Sequence, residues 1–231
     1  MLDNHRRAFV YSLALLAGMA VVFVGVGRHP AQDAPATTIP FIGHVDQATF
    51  RAADDIRSVV LNGIARALNV LGGGIVTIPL RAIVALWLAF RRRWRALAAW
   101  VLTWACAEVI LSAAKVYFHR GRPPSPLVAT VGYSFPSGHA VVGAATAVAL
   151  VLVLVPPGRE RRKWEAAAIA FAFVMGFSRV YLDAHWLSDV VAGVLLGTGV
   201  ALGSAALATE LGSAALGRRS RRLAAQASRG P

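Results

Sequence analysis

Six apolar stretches divide this chain, at about 9–27, 70–90, 96–114, 140–155, 166–181 and 186–207, and every second connection between them carries a cluster of arginine or lysine. A helix needs about 20 apolar residues to cross the hydrocarbon core of a bilayer. In that medium the backbone must satisfy its own hydrogen bonds, so such runs fold as helices. The pattern predicts an all-α integral membrane bundle of six transmembrane helices. The fifth stretch is short and ends in Ser178 and Arg179, but the alternation of charge requires it. Composition agrees, since 57% of the 231 residues are hydrophobic and the mean hydropathy is +0.58, well above an ordinary soluble domain.

The net charge is +13 although only 15% of residues are charged, so the charge is concentrated. The clusters are Arg6 and Arg7; Arg91, Arg92, Arg93 and Arg95; Arg159, Arg161, Arg162 and Lys163; and Arg218, Arg219, Arg221 and Arg222. Short basic connections stay in the cytoplasm. Both termini are then expected to be cytoplasmic. Arginines in short clusters between spans point to a bilayer as partner rather than nucleic acid. No oligomeric state follows from them. The first stretch has the basic flank of a secretory signal, and Arg6-Arg7 faintly resembles a twin-arginine signal; its length favours a retained span. Cleavage would leave five spans in the same orientation. The single cysteine, Cys106, lies in an apolar stretch and gives neither a disulfide framework nor a Cys/His metal cluster.

Between the first two stretches, 28–40 is rich in proline, alanine and threonine and reads as irregular. Over 44–68, Val45, Phe50, Ile56, Val59, Val60, Ile64 and Leu68 recur at helical spacing among Asp46, Arg51, Asp54, Asp55, Arg57 and Arg66. That spacing predicts an amphipathic helix lying on the outer interface. The tail 224–231 reads as disordered, which leaves a single membrane domain over 1–223. Arg81 and Glu108 stand mid-way along the second and third stretches. At 1.5 Å per residue both lie roughly 15–20 Å from the turn that joins those stretches, so an ion pair is expected.

The remaining unusual residues fall in one layer. Lys115 ends the third stretch and Arg122 follows it; Ser137, Gly138 and His139 open the fourth; Ser178 and Arg179 end the fifth; His185 and Asp189 open the sixth. On the expected topology all lie at the outer face. Lys115, Arg122 and Arg179 run against the cytoplasmic bias of the other cations, and an anion is the simplest reason. Arginine presents planar bidentate donors suited to phosphate. Ser137 and Gly138 add a hydroxyl and open N–H groups at a helix start, which also favours phosphate. His185 and Asp189 are four apart and share a face if both are helical. A carboxylate on one imidazole nitrogen leaves the other free to attack, and His139 supplies a second imidazole as general acid. The cations already meet the phosphoryl charge, so no metal and no cofactor is expected. Singly, these features also read as a helix cap, a surface hydrogen bond and snorkelling side chains.

At these residues the sequence resembles the type 2 phosphatidic acid phosphatase family, which shares its phosphate pocket with vanadium haloperoxidases. The family pattern has three parts: Lys, six residues, Arg-Pro; then Pro-Ser-Gly-His; then Ser-Arg, five residues, His, three residues, Asp. Here they read KVYFHRGRP from Lys115, PSGH from Pro136, and SRVYLDAHWLSD from Ser178 to Asp189. All three match in order, within 115–189. The resemblance implies that His185 is a nucleophile forming a phosphohistidine, oriented by Asp189. It implies that His139 protonates the leaving group and that Lys115, Arg122, Ser137, Gly138 and Arg179 hold the phosphate. His119, Arg120, Tyr181 and Asp183 fall at variable positions of the pattern and receive no role. The implied activity is a metal-independent membrane lipid phosphatase acting outside the cytoplasm. Its substrates would be phosphatidic acid, phosphatidylglycerol phosphate or undecaprenyl diphosphate. A vanadate-dependent haloperoxidase and a non-catalytic anion-binding membrane protein are the alternatives.

Overall fold

The computed structural model describes residues 5–27 and 39–227, with no strand among them. The elements are α1 (His5–Val26), α2 (Pro40–Asp55), α3 (Val59–Gly72), α4 (Gly74–Phe90), α5 (Trp94–Phe118), α6 (Gly138–Leu154), α7 (Arg159–Tyr181) and α8 (Leu187–Ala227). Among the described residues three segments are long and apolar enough to cross a membrane: Arg6–Val26, Trp94–Phe118 and Leu187–Ala214. The pair α3 and α4 makes a fourth if taken as one span bent by 44°. Helix α6 is apolar but only 17 residues long. Helix α7 has 23 residues and opens on Arg159, Glu160, Arg161, Arg162 and Lys163, so its apolar part is shorter than its length.

The amphipathic helix expected over 44–68 is two helices. The chain breaks after Asp55, where Arg57 turns aside to pair with Asp183 and with Asp54. Ser58 then caps α3, its Oγ accepting the Leu61 N–H at 3.2 Å. The second expected span, 70–90, is also broken, at Gly73, and its first turn belongs to α3. Hydrophobic periodicity did not reveal either break because the apolar spacing continues through both. The stretch 28–38 lies outside the described residues, and Pro40 opens α2. Helix α8 runs on to Ala227, so 224–227 are helical where a tail was expected; 228–231 lie outside the described residues.

Helix α6 forms the centre, with Ala140, Val141, Ala144, Ala145, Ala149 and Leu152 all buried. Lipid tails are as apolar as these side chains, so packing rather than water exclusion holds such helices together, and small residues allow it. Gly193 shows the closeness: a Cβ there would come within 2.8 Å of the Ser137 backbone oxygen. That contact sets the start of α8 beside the start of α6. Phe23, Phe118 and Phe135 stack edge to face at centroid distances of 4.8–5.1 Å. They tie α1, α5 and the approach to α6 into one corner. Arg81 on α4 meets Glu108 on α5 at 2.9 Å, as expected, and its guanidinium also lies 3.2 Å from the centroid of the Trp104 ring.

Candidate active site

The loop ends of α5, α6, α7 and α8 bring Lys115, Arg122, Ser137, Gly138, His139, Arg179, His185 and Asp189 to one end of the bundle. His185 does not sit on a helix with Asp189; it lies in the short turn before α8, and Asp189 is in the first turn of α8. They still meet, with Nδ1 of His185 3.4 Å from Oδ2 of Asp189. The same oxygen accepts the Trp186 N–H at 3.0 Å, which closes the turn and fixes the carboxylate. A carboxylate only accepts, so Nδ1 carries the hydrogen and Nε2 presents its lone pair. Arg122 places Nη1 3.2 Å from that Nε2.

Burial holds His185 well below the ordinary histidine value of 6.5, at about 4. Asp189 opposes that shift, and the Arg122 and Lys115 charges add to it. The imidazole is therefore neutral near pH 7, with an unprotonated nitrogen beside a cation. Burial likewise lowers the Arg122 guanidinium below its usual value, with Asp189 pulling the other way.

The cations are held by carbonyls. Arg122 donates from Nε to Gly132 O (2.9 Å), from Nη1 to Ala184 O (2.6 Å), and from Nη2 to Val131 O (2.9 Å) and Tyr133 O (3.1 Å). Lys115 Nζ donates to the same Tyr133 carbonyl at 2.6 Å. Arg179 Nη1 donates to Asn69 Oδ1. The Arg179 backbone carbonyl accepts the N–H groups of Ala184 (3.0 Å) and His185 (3.2 Å), which locks the end of α7 to the turn carrying His185.

Ser137 is not an ordinary helix cap. It occupies the N-cap of α6, but its side chain makes no cap hydrogen bond. Among the described residues its Oγ has no partner, and the residue is 0% exposed. An unpaired buried hydroxyl is costly, so this Oγ is free to take a hydrogen bond from or give one to a bound group. The Ser137 N–H donates to the Asp189 carbonyl at 3.0 Å, so the Ser-Gly turn is pinned to the start of α8. Gly138 is the first residue of α6, where amides lack helical partners. Nε2 of His139 lies 3.1 Å from the Asn69 carbonyl.

Three site residues were not singled out in the sequence. Arg120 is 5% exposed and bridges two carboxylates, with Nη1 2.5 Å from Asp189 Oδ1 and Nη2 2.6 Å from Asp46 Oδ2. Asp46, on α2, also accepts the Ser188 N–H (2.8 Å) and hydroxyl (2.6 Å). Burial alone would lower Arg120, but the charges of Asp189 and Asp46 outweigh it and raise the guanidinium above its ordinary value. Asp189 is thus held by His185 on one oxygen and Arg120 on the other. Asn69, on α3, is the third. Arg120 stands two residues before Arg122, a visible signal; Asp46 gave none, because a polar residue on an amphipathic stretch reads as solvent-facing, and Asn69 fell between that stretch and the next apolar one. Among the described residues no group of three or more His, Cys, Asp or Glu side chains is placed to hold a metal ion.

Among the described residues, the loop ends of this helical bundle gather a buried His–Asp pair, three cations and a serine hydroxyl without a partner, an arrangement suited to a phosphate. Residues 96–212 match the PAP2 superfamily, and the chain belongs to it. It is 33% identical to phosphatidylglycerophosphatase B of Bacillus subtilis, over 66% of this chain and 77% of that protein. It is 34% identical to an undecaprenyl-diphosphatase of Sulfolobus acidocaldarius, over 60% of this chain and 66% of that one. The fold matches the crystal structure of a transmembrane PAP2-type phosphatidylglycerolphosphate phosphatase from Bacillus subtilis with a TM-score of 0.71 and 26% identity, covering 88% of this chain and 96% of that one. Aquifex aeolicus LpxE shares the fold at a TM-score of 0.57 and 24% identity, covering 68% of this chain and 93% of that one. The apolar helices together with these relatives mark an integral membrane protein of the phosphatase type.

Proposed function

We propose that this protein hydrolyses a phosphomonoester or diphosphate of a membrane lipid through a phosphohistidine on His185, without a metal. The observation that carries the reading is the Nε2 of His185, unprotonated, backed by Asp189 and facing Arg122. In the first step Nε2 attacks phosphorus, and the bond from phosphorus to the leaving oxygen breaks. That oxygen takes a proton from Nδ1 of His139 in its imidazolium form, whose Nε2–H stays on the Asn69 carbonyl, and departs as the lipid alcohol or monophosphate. In the second step water attacks the phosphohistidine, gives its proton back to His139, and releases inorganic phosphate with His185 restored. Lys115, Arg122, Arg179, the Ser137 hydroxyl and the Gly138 amide meet the charge that spreads over the phosphoryl oxygens. Arg122 and Lys115 exchange some of their carbonyl contacts for phosphate oxygens.

The six-span arrangement belongs to the same reading, with α3 and α4 together as the second span and α6 and α7 as the fourth and fifth. Both termini are cytoplasmic, and the site opens on the outer face. The relatives' substrates, phosphatidylglycerol phosphate and undecaprenyl diphosphate, head the candidates, with phosphatidic acid beside them. The test is phosphate release by the purified protein from these three lipids in detergent, with and without EDTA. Release that EDTA abolishes and magnesium restores would overturn the metal-free route. No release from any of them, alongside bromide oxidation with added vanadate, would favour a haloperoxidase.

A further inference from the structure

A second site lies at the other end of the bundle. Helices α1 and α7 flank a groove of about 840 Å³ whose floor is formed by α6 and α8. Its deeper walls are apolar, with Ala14 and Leu15 from α1, Phe173 from α7 and Leu195 from α8. Among the described residues its mouth is lined by Arg7 of α1, by Arg159, Arg161 and Arg162 of α7, and by Glu165. Arg161 is committed to the fold, since it donates to the Leu152 carbonyl at 2.5 Å at the end of α6 and approaches Glu165 at 3.6 Å. Arg159 and Arg162 are exposed.

We propose that this groove holds one anionic phospholipid, its phosphate between the α1 and α7 arginines and an acyl chain along α8. Arg159 and Arg179 stand at opposite ends of α7, about 30 Å apart at 1.5 Å per residue. That is the thickness of a bilayer core, so the groove mouth meets the membrane surface opposite the catalytic layer. A cationic mouth above an apolar channel matches an anionic headgroup with a hydrocarbon tail. A zwitterionic lipid brings its own cation against the arginines and gains less. The groove is the place where residues far apart in sequence, Arg7 and Arg159–Arg162, meet over an apolar floor. The site is independent of the catalytic reading.

The test is retention of phosphatidylserine against phosphatidylcholine by the full chain released from mixed nanodiscs, read by native mass spectrometry. The wild-type protein should hold one phosphatidylserine in preference to phosphatidylcholine. The double variant Arg159→Gln/Arg162→Gln should lose that retention by roughly tenfold or more. The double variant Arg91→Gln/Arg92→Gln makes the same change of charge at the same end but outside the groove, and should retain the lipid. Arg179→Gln should retain it too, which separates this site from the catalytic one. Ala14→Phe fills the apolar part while keeping every arginine, and should also lose retention; it serves if the arginine variant does not fold. Equal retention of both lipids, equal loss in the Arg91/Arg92 control, loss in Arg179→Gln, or a second copy of the chain in the groove in place of lipid would each overturn the proposal.

Discussion

Nε2 of His139 lies 3.1 Å from the backbone carbonyl of Asn69, in the last turn of α3. In a continuous helix the Gly73 amide would take that carbonyl. Here the Gly73 N–H turns to Val70 instead, at 3.1 Å, so the break between α3 and α4 leaves an acceptor for the imidazole. The carbonyl accepts only, so Nε2 carries a hydrogen. The approach is tight: a Cβ on Gly72 would come 2.7 Å from His139 Cδ2 and 2.9 Å from Met175 Sδ. Gly72→Ala should therefore push His139 off its position and lower kcat by about tenfold to a hundredfold, with a smaller change in KM. A kcat within twofold of wild type would show that His139 does not depend on this contact.

His185→Ala should reduce turnover below about 1% of wild type, a barrier increase of at least ~2.7 kcal/mol. The fold should survive, because the turn around His185 is held by backbone hydrogen bonds to Arg179. Turnover within about tenfold of wild type would remove His185 as the nucleophile.

The buried His185 also makes a pH prediction. Folded, it takes a proton only near about 4; unfolded, near 6.5. Between those values the unfolded chain binds more protons, so stability rises with pH across that window. The penalty is absent above about pH 6.5 and grows as pH falls towards 4, to about 3 kcal/mol. Melting curves of wild type and His185→Gln between pH 4 and 7 check it. The variant cannot take the proton and should show a shallower slope; an unchanged slope would place the titration elsewhere.

Glu108→Gln should lower thermal stability by about 1 kcal/mol, or roughly 2–4 °C, because Arg81 loses its partner within the hydrocarbon layer. Adding Arg81→Gln should recover part of that loss. The Trp104 ring, which also holds Arg81, keeps the recovery incomplete. Unchanged stability with equal loss of turnover in both single variants would move the pair from structure to catalysis.

With Cys106 replaced by serine, a cysteine at the exposed Ser125 should react with an impermeant thiol reagent in intact cells. Labelling only after lysis would put the loop between α5 and α6, and with it the Arg122 site, in the cytoplasm.

Much of the site was legible because its residue types contradict their surroundings. Lys115, Arg122 and Arg179 are cations against the orientation bias, and His139 and Asp189 open apolar runs. The breaks at Gly73 and after Asp55 were not legible, since apolar spacing runs through both. Nor were the hydrogen bonds of Asp46, which reads as one more charge on an amphipathic stretch until α2 sets it against Ser188 and Arg120.

The sequence by itself determined the helical, membrane-bound class, because in a bilayer an apolar run has no alternative to internal hydrogen bonding. It also singled out the groups proposed to meet a phosphate, because three spaced motifs carry them. Only the tertiary structure decided how those groups are held. Periodicity tells which face of a helix is apolar, but not which neighbour it meets or where a break releases a carbonyl. The support of Asp189 by Arg120 and Asp46, and of His139 and Arg179 by Asn69, comes from α2 and α3 docking on helices and loops that lie 70 to 110 residues further along the chain.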